Sequence, residues 1–245
     1  MEPHFMRPAR LGRALAGLAL LLASVGPALA DSADAQPSPR GYGSPGYSWA
    51  RLTAEHVAVL KLQGDAKRGA QVYRQCAGCH RADGAGLADG TYPRLSGQHA
   101  SVIIKQITDT RAGIRINPKM APFSSEHALE LQEIADVSEF LSSAVSHREN
   151  GKGEAERAEL GLKLYRQRGC QDCHGARGEG DRAKFYPVVA AQHFQYLLRE
   201  MEHVQAGGRG NSHPDMVKTL RGLPPDDLKA LASHLSRLPE HRSPP

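Results

Sequence analysis

The sequence predicts an all-α protein made of two tandem copies of one small domain, and three observations carry that prediction. The pattern Cys-X-X-Cys-His occurs at Cys76–His80 and again at Cys170–His174, and these two pairs use all four cysteines of the 245-residue chain. Landmarks of the first copy return at an offset of 94 residues: Cys76 with Cys170, Gly84 with Gly178, Gly86 with Gly180, Tyr92-Pro93 with Tyr186-Pro187, Gln98-His99 with Gln192-His193 and Arg115 with Arg209. A fixed offset held over so many positions is the signature of internal duplication. No segment alternates apolar and polar residues as a half-buried strand must, whereas apolar residues recur at helical spacing.

Taken in order, residues 1–30 read as an export signal. Arg7, Arg10 and Arg13 precede an apolar run over 14–25, and Ala28-Leu29-Ala30 supplies small residues for cleavage after Ala30. That run is shorter than the about 20 residues a membrane span needs. Residues 31–63 form an extension rich in Pro, Gly, Ser and Tyr, expected to be flexible. Within it 53–62 predicts a short helix with Val57 and Leu60 on one face. The first domain is expected over 64–145, a polar, glycine-bearing linker over 146–153, the second domain over 154–238 and a tail over 239–245.

Each copy reads as helix, motif, long loop, helix, ligand loop, helix. In the middle helix Ile103, Ile104 and Ile107 match Leu197, Leu198 and Met201, an i, i+1, i+4 apolar set. In the closing helix Leu131, Ile134 and Leu141 match Leu228, Leu231 and Leu238. Its start is expected to be capped by Ser124 or Ser125 in the first copy and by Asp226, after Pro224-Pro225, in the second.

The repeated motif carries the chemistry. Two thiols three residues apart can each form a thioether to one vinyl group of a single porphyrin, and the next histidine then lies under the iron. Cys76, Cys79, Cys170 and Cys173 are therefore the expected attachment points of two covalently bound haem c groups, with His80 and His174 as proximal ligands. A four-cysteine zinc site brings its pairs within about 20 residues, whereas Cys79 and Cys170 lie 91 positions apart. A thioredoxin-like pair needs a βαβ setting, and the segments before both motifs read as helix. Composition agrees with a cofactor-built core, because aromatics are only 5%. Without the signal 28 basic and 25 acidic side chains remain. That near balance offers no nucleic-acid surface, which needs clustered Lys and Arg.

Whether each iron is closed or open depends on a sixth ligand. Beyond the signal the chain has three methionines. Met201 falls on the apolar stripe of the middle helix and reads as core. Met120 and Met216 lie in equivalent prolyl loops, 40 and 42 residues after the proximal histidines, and are the distal candidates. A thioether is a soft, uncharged ligand that raises the reduction potential and fills the site, which suits outer-sphere electron transfer. His213 competes with Met216 for the second site. His99 and His193 follow a glutamine at a helix start and read as surface. The carbonyls of Pro93 and Pro187 are free to accept from the proximal histidines, a contact that would orient the imidazoles.

These residues resemble the class I cytochromes c, and among them the two-haem periplasmic cytochrome c4 type. The resemblance rests on Gly64-Asp65, Arg68-Gly69, Tyr73, the first motif, Asp83-Gly84-Ala-Gly86, Tyr92-Pro93, Leu95, Gly97-Gln98 and Met120-X-Pro122. The second copy repeats Gly161, Tyr165, its motif, Pro187, Gln192 and Met216, but departs at Val189 and Ala191 and lacks the proline after Met216. The resemblance implies two single-haem domains carrying electrons in the periplasm from a quinol-cytochrome c reductase or a periplasmic dehydrogenase to a membrane-bound terminal oxidase, and it admits peripheral membrane association. No catalytic constellation stands apart from the haem sites. Two alternatives are a diheme oxidoreductase of thiosulfate dehydrogenase or peroxidase type, and the cytochrome subunit of a larger dehydrogenase.

Overall fold

The structure, a computed structural model, describes residues 52–240. The expected signal 1–30 and the extension to residue 51 lie outside the described residues. The first copy contains α1 (Ala54–Leu60), α2 (Ala66–Val72), the single-turn α3 (Ala77–His80), α4 (Ala100–Arg111), the single-turn α5 (Ala121–Ser124) and α6 (Leu131–Ser143). The second contains α7 (Ala155–Gln167), the single-turn α8 (Gln171–His174), α9 (Phe194–Gln205), α10 (Pro214–Leu220) and α11 (Pro225–Arg237). Among the described residues there is no strand, only an isolated bridge between Asp181 and Tyr186.

In each copy the opening helix packs on the closing one, α2 on α6 and α7 on α11, and the middle helix packs on the closing helix as well. A small residue makes each crossing close. A Cβ at Gly69 would fall 2.0 Å from the carbonyl oxygen of Asp136, and one at Gly161 would fall 2.0 Å from that of Ala230. The middle helices bury the stripe expected of them, Ile103, Ile104 and Ile107 in one copy and Leu197 and Met201 in the other, with Leu198 half-buried. Tyr73 and Tyr165 complete the two cores and are nearly inaccessible.

Three expectations are corrected. The helix α1 is present, but it turns His56 and Val59, both 0% exposed, toward α4 and α6, while Leu60 faces solvent. It thus adds a layer to the first domain's core and is not part of a free extension. The closing helix of the first copy is capped by Glu130 and Glu133 in a reciprocal capping box. Ser124 instead ends α5, and Leu131, at the first position of α6, is exposed. In the second copy Pro224 occupies the cap, and Asp226 and Asp227 lie in the first turn, where carboxylates favour the helix dipole. Residues 146–153 connect the copies and are hydrogen-bonded to both. Ser146 donates to Asp83, Asn150 Nδ2 donates to the carbonyls of Gln192 and Ser236, and Gly153 N–H donates to Ser236 Oγ.

Candidate functional site

Each motif is wound into one helical turn. The His80 N–H donates to the Cys76 carbonyl at 3.0 Å, and the His174 N–H to that of Cys170 at 2.9 Å. Residues four apart share a helix face, so the first cysteine and the histidine of each motif point the same way. His80 Nδ1 lies 3.1 Å from the Pro93 carbonyl, and His174 Nδ1 lies 3.1 Å from that of Pro187. A carbonyl can only accept, so Nδ1 carries the proton in both rings and Nε2 keeps its lone pair for a metal. The loop that brings each proline back is pinned by Gly86 N–H to the His80 carbonyl and by Gly180 N–H to that of His174. At both glycines φ is near +70° and a Cβ would meet, at 2.4 Å, the carbonyl oxygen of the tyrosine just before the returning proline, Tyr92 or Tyr186. Only glycine fits there.

The residue after each motif histidine also departs from ordinary backbone. Gly175 has φ 76° and ψ 164°, and the equivalent Arg81 has φ 67° and ψ 157°. Its carbonyl accepts from the Tyr73 hydroxyl at 2.8 Å, as that of Gly175 accepts from Tyr165 at 2.7 Å. The buried tyrosines therefore hold the turn that follows each motif, in the first copy against the preference of an arginine.

Electrostatics suit a haem and oppose thiol redox catalysis. Burial lowers the pKa of His80 and of His174, against the opposing bonds to Pro93 and Pro187, so both imidazoles stay neutral. Burial pushes the Cys76 and Cys170 thiols up to about 11, whereas a redox-active pair depends on a lowered value. All four thiols are half-buried and unbridged. Among the described residues no three His, Cys, Asp or Glu side chains gather as a metal cluster. The residues thus fit a haem in each copy, with thiols for the vinyl groups and a free imidazole Nε2 for the iron.

The distal candidates are placed differently from each other. Met120 is half-buried and caps the one-turn α5, its N–H held by Asn117. Met216 stands in the first turn of α10, not in a loop, and packs on the same apolar cluster as Cys170. Met201 is buried in that core. His213 caps α10 through Nδ1, which accepts from the Asp215 N–H at 3.0 Å, and its ring lies edge-on to Tyr186.

The two copies meet through residues that sequence reasoning placed on the surface. His193 is 1% exposed. Its Nδ1 accepts from Gly151 N–H at 3.0 Å, so Nε2 donates to the Ala85 carbonyl at 2.8 Å. His99 Nε2 makes the equivalent bond to the Glu179 carbonyl, also at 2.8 Å. The glutamines before them join the other copy's proximal loop: Gln192 pairs with the backbone of Arg94 and Gln98 with that of Val188. The signal was the recurrence of Gln-His at the repeat offset, which helix capping alone does not require. A second polar cluster joins α4 to the segment after α9, where Asn211 Nδ2 donates to Gln106 and to Asp109 and Arg209 donates to Gln106.

A family model described as cytochrome c matches the chain twice, over residues 66–144 and 158–239. A thiosulfate dehydrogenase electron acceptor from Stutzerimonas stutzeri is 32% identical over 76% of this chain and 94% of its own length. A cytochrome c4 from Azotobacter vinelandii is 28% identical over 76% of this chain and 95% of its own. Among solved structures, reduced cytochrome c4 from Pseudomonas stutzeri matches with a TM-score of 0.64 and 25% identity, covering 71% of this chain and 99% of that one. Thiosulfate dehydrogenase from Marichromatium purpuratum matches with a TM-score of 0.61 and 29% identity, covering 71% of this chain but 40% of that one.

Proposed function

The chain belongs to the cytochrome c family, and on that premise we propose that it is a two-haem electron carrier working between redox proteins of the periplasm. It carries two covalently bound haem c groups, one in each of the domains proposed at 64–145 and 154–238. Bound there, haem iron supplies one-electron chemistry, cycling between ferrous and ferric. Cys76, Cys79, Cys170 and Cys173 are the proposed thioether residues, His80 and His174 the proximal ligands, and Met120 and Met216 the distal ones. The protein's part is to hold the neutral imidazoles in one orientation through Pro93 and Pro187, and to keep coordination unchanged when an electron arrives. The carrying observation is the equivalence of the two proximal sites, identical in histidine tautomer and in acceptor distance. A substrate-transforming diheme enzyme would instead require an open or unusually ligated haem.

Donor and acceptor are redox proteins. Export to the periplasm is the reading of residues 1–30, and among the described residues no helix is long and apolar enough to cross a membrane. A second reading, that the donor is a thiosulfate-oxidising dehydrogenase, is favoured by the likeness to an electron acceptor of that enzyme and to the enzyme itself. Stopped-flow mixing of the ferrous protein with oxidase-containing membranes should oxidise both haems, and thiosulfate alone should leave the ferric protein unreduced. Turnover of thiosulfate or peroxide without a partner protein would overturn the carrier reading.

A further inference from the structure

Each proximal histidine is tied to the opposite domain through a single peptide group. The carbonyl that accepts from His80 Nδ1–H belongs to the peptide joining Pro93 to Arg94. The N–H of that same peptide donates to Gln192 Oε1 of the second domain at 2.8 Å, and Gln192 Nε2 donates back to the Arg94 carbonyl at 2.9 Å. The mirror arrangement is also built. The peptide joining Pro187 to Val188 accepts from His174 through its carbonyl and donates through its N–H to Gln98 Oε1 at 2.9 Å, with Gln98 Nε2 donating to the Val188 carbonyl at 3.0 Å. Both Gln192 and Arg94 are buried, 7% and 6% exposed, so water does not replace these bonds cheaply.

A peptide group is planar and its two ends move together. Hydrogen bonds in series polarise one another, so a bond at the N–H makes the carbonyl of the same unit a better acceptor. A better acceptor draws the Nδ1 proton more strongly, makes the imidazole more basic and stabilises ferric iron. We infer that Gln192 is a positioning residue for the haem of the first domain and Gln98 for the haem of the second, each acting in trans across the domain interface. The inference rests on the two-haem reading above. It gives the duplication a consequence beyond doubling the cofactor, because each domain's axial ligand is completed by the other. The packing of His193 and His99 against the Ala85 and Glu179 carbonyls holds the same loops at a second point and keeps the glutamines in register.

The test is a potentiometric titration of the full-length holoprotein and of its Gln192→Leu and Gln98→Leu variants, with the steps assigned by the haem-methyl NMR resonances of each domain. In Gln192→Leu the midpoint potential of the first domain's haem should rise while the second stays in place. In Gln98→Leu the pattern should reverse. A second readout is the Nδ1–H proton resonance of the ferrous protein, where the His80 signal should move upfield in Gln192→Leu and the His174 signal should not. If either leucine variant fails to assemble, Gln192→Met and Gln98→Met keep the side-chain length and give the same reading. Shifts confined to the variant's own domain, equal shifts at both haems, or unmoved potentials and proton signals would overturn the inference. Failure of the two-haem reading would look different, since the unmodified protein would then lack two low-spin one-electron steps.

Discussion

Lowering the pH through the range in which free histidine titrates should destabilise this protein, and His56 should account for a defined part of the loss. The imidazole is 0% exposed, neither ring nitrogen has a hydrogen-bond partner, and the ring lies edge-on to Phe185 of the second domain with centroids 5.4 Å apart. Burial, helped by the positive charge of Lys105, pulls its pKa from 6.5 to about 4. The unfolded chain therefore binds the proton first as the pH falls. Stability from this residue is complete above 6.5 and is lost progressively as the pH drops toward 4. Between about pH 7 and about pH 4.5 the loss comes to about 2 kcal/mol, taking about 1.4 kcal/mol for each tenfold preference of the proton for the unfolded chain. His56→Leu removes the titrating group and also two unsatisfied buried polar atoms, so at pH 7 it should be neutral or mildly stabilising. Urea denaturation of the ferric holoprotein and the variant at both pH values measures the difference. His193, His213 and His234, also lowered mainly by burial, contribute to both proteins and cancel. The stability gap between variant and parent should widen by about 2 kcal/mol on acidification. Parallel losses in the two proteins would refute the reasoning, because the proton would then not be entering at His56.

Backbone strain and helix packing give two further outcomes. Arg81 occupies a region of backbone space that is nearly restricted to glycine and costs about 1–3 kcal/mol, and its side chain is exposed. Arg81→Gly should therefore stabilise the first domain by about 1 kcal/mol after the added freedom of the unfolded chain is subtracted, seen as a raised melting temperature; an unchanged or lowered one would deny the strain. Gly161→Ala places a methyl 2.0 Å from the Ala230 carbonyl oxygen and 2.7 Å from His234 Cβ. The α7–α11 crossing must open, which should cost about 3 kcal/mol in a denaturant midpoint, and a loss below about 1 kcal/mol would mean that the helices yield easily.

The parts of the molecule legible in the sequence are those fixed by local chemistry or by repetition. The motif turns follow from five residues each, and the carbonyls of Pro93 and Pro187, the expected acceptors, stand 3.1 Å from Nδ1 of His80 and His174. Alignment of the copies put Met201 in the core, where it is found. What escaped the sequence depends on the meeting of distant segments. A Gln-His pair at a helix start looks solvated until the other copy is docked over it, and Gln98 and Gln192 reach partners 90 and 98 residues away. The burial of His56 has the same origin, since Phe185, which its ring meets edge-on, comes from the other copy. The cap of α6 was misplaced because Ser124 and Ser125 are good capping residues, yet the chain makes the short α5 first and begins α6 at a Glu-X-X-Glu box. The helix α10 around Met216 was hidden by Pro214, which reads as a loop breaker but is favoured at the first position of a helix.

Two closed histidine–methionine haem sites are the core of this reading, and the ferric spectrum tests them most directly. Low-temperature EPR combined with near-infrared spectroscopy of the ferric holoprotein should show two low-spin haems per chain, each with a sulfur-to-iron charge-transfer band. Met120→Ala should remove that band from one haem, and Met216→Ala should remove it from the other. A high-spin haem in the unmodified protein, or a second haem whose spectrum is indifferent to Met216 and changes with His213, would contradict it.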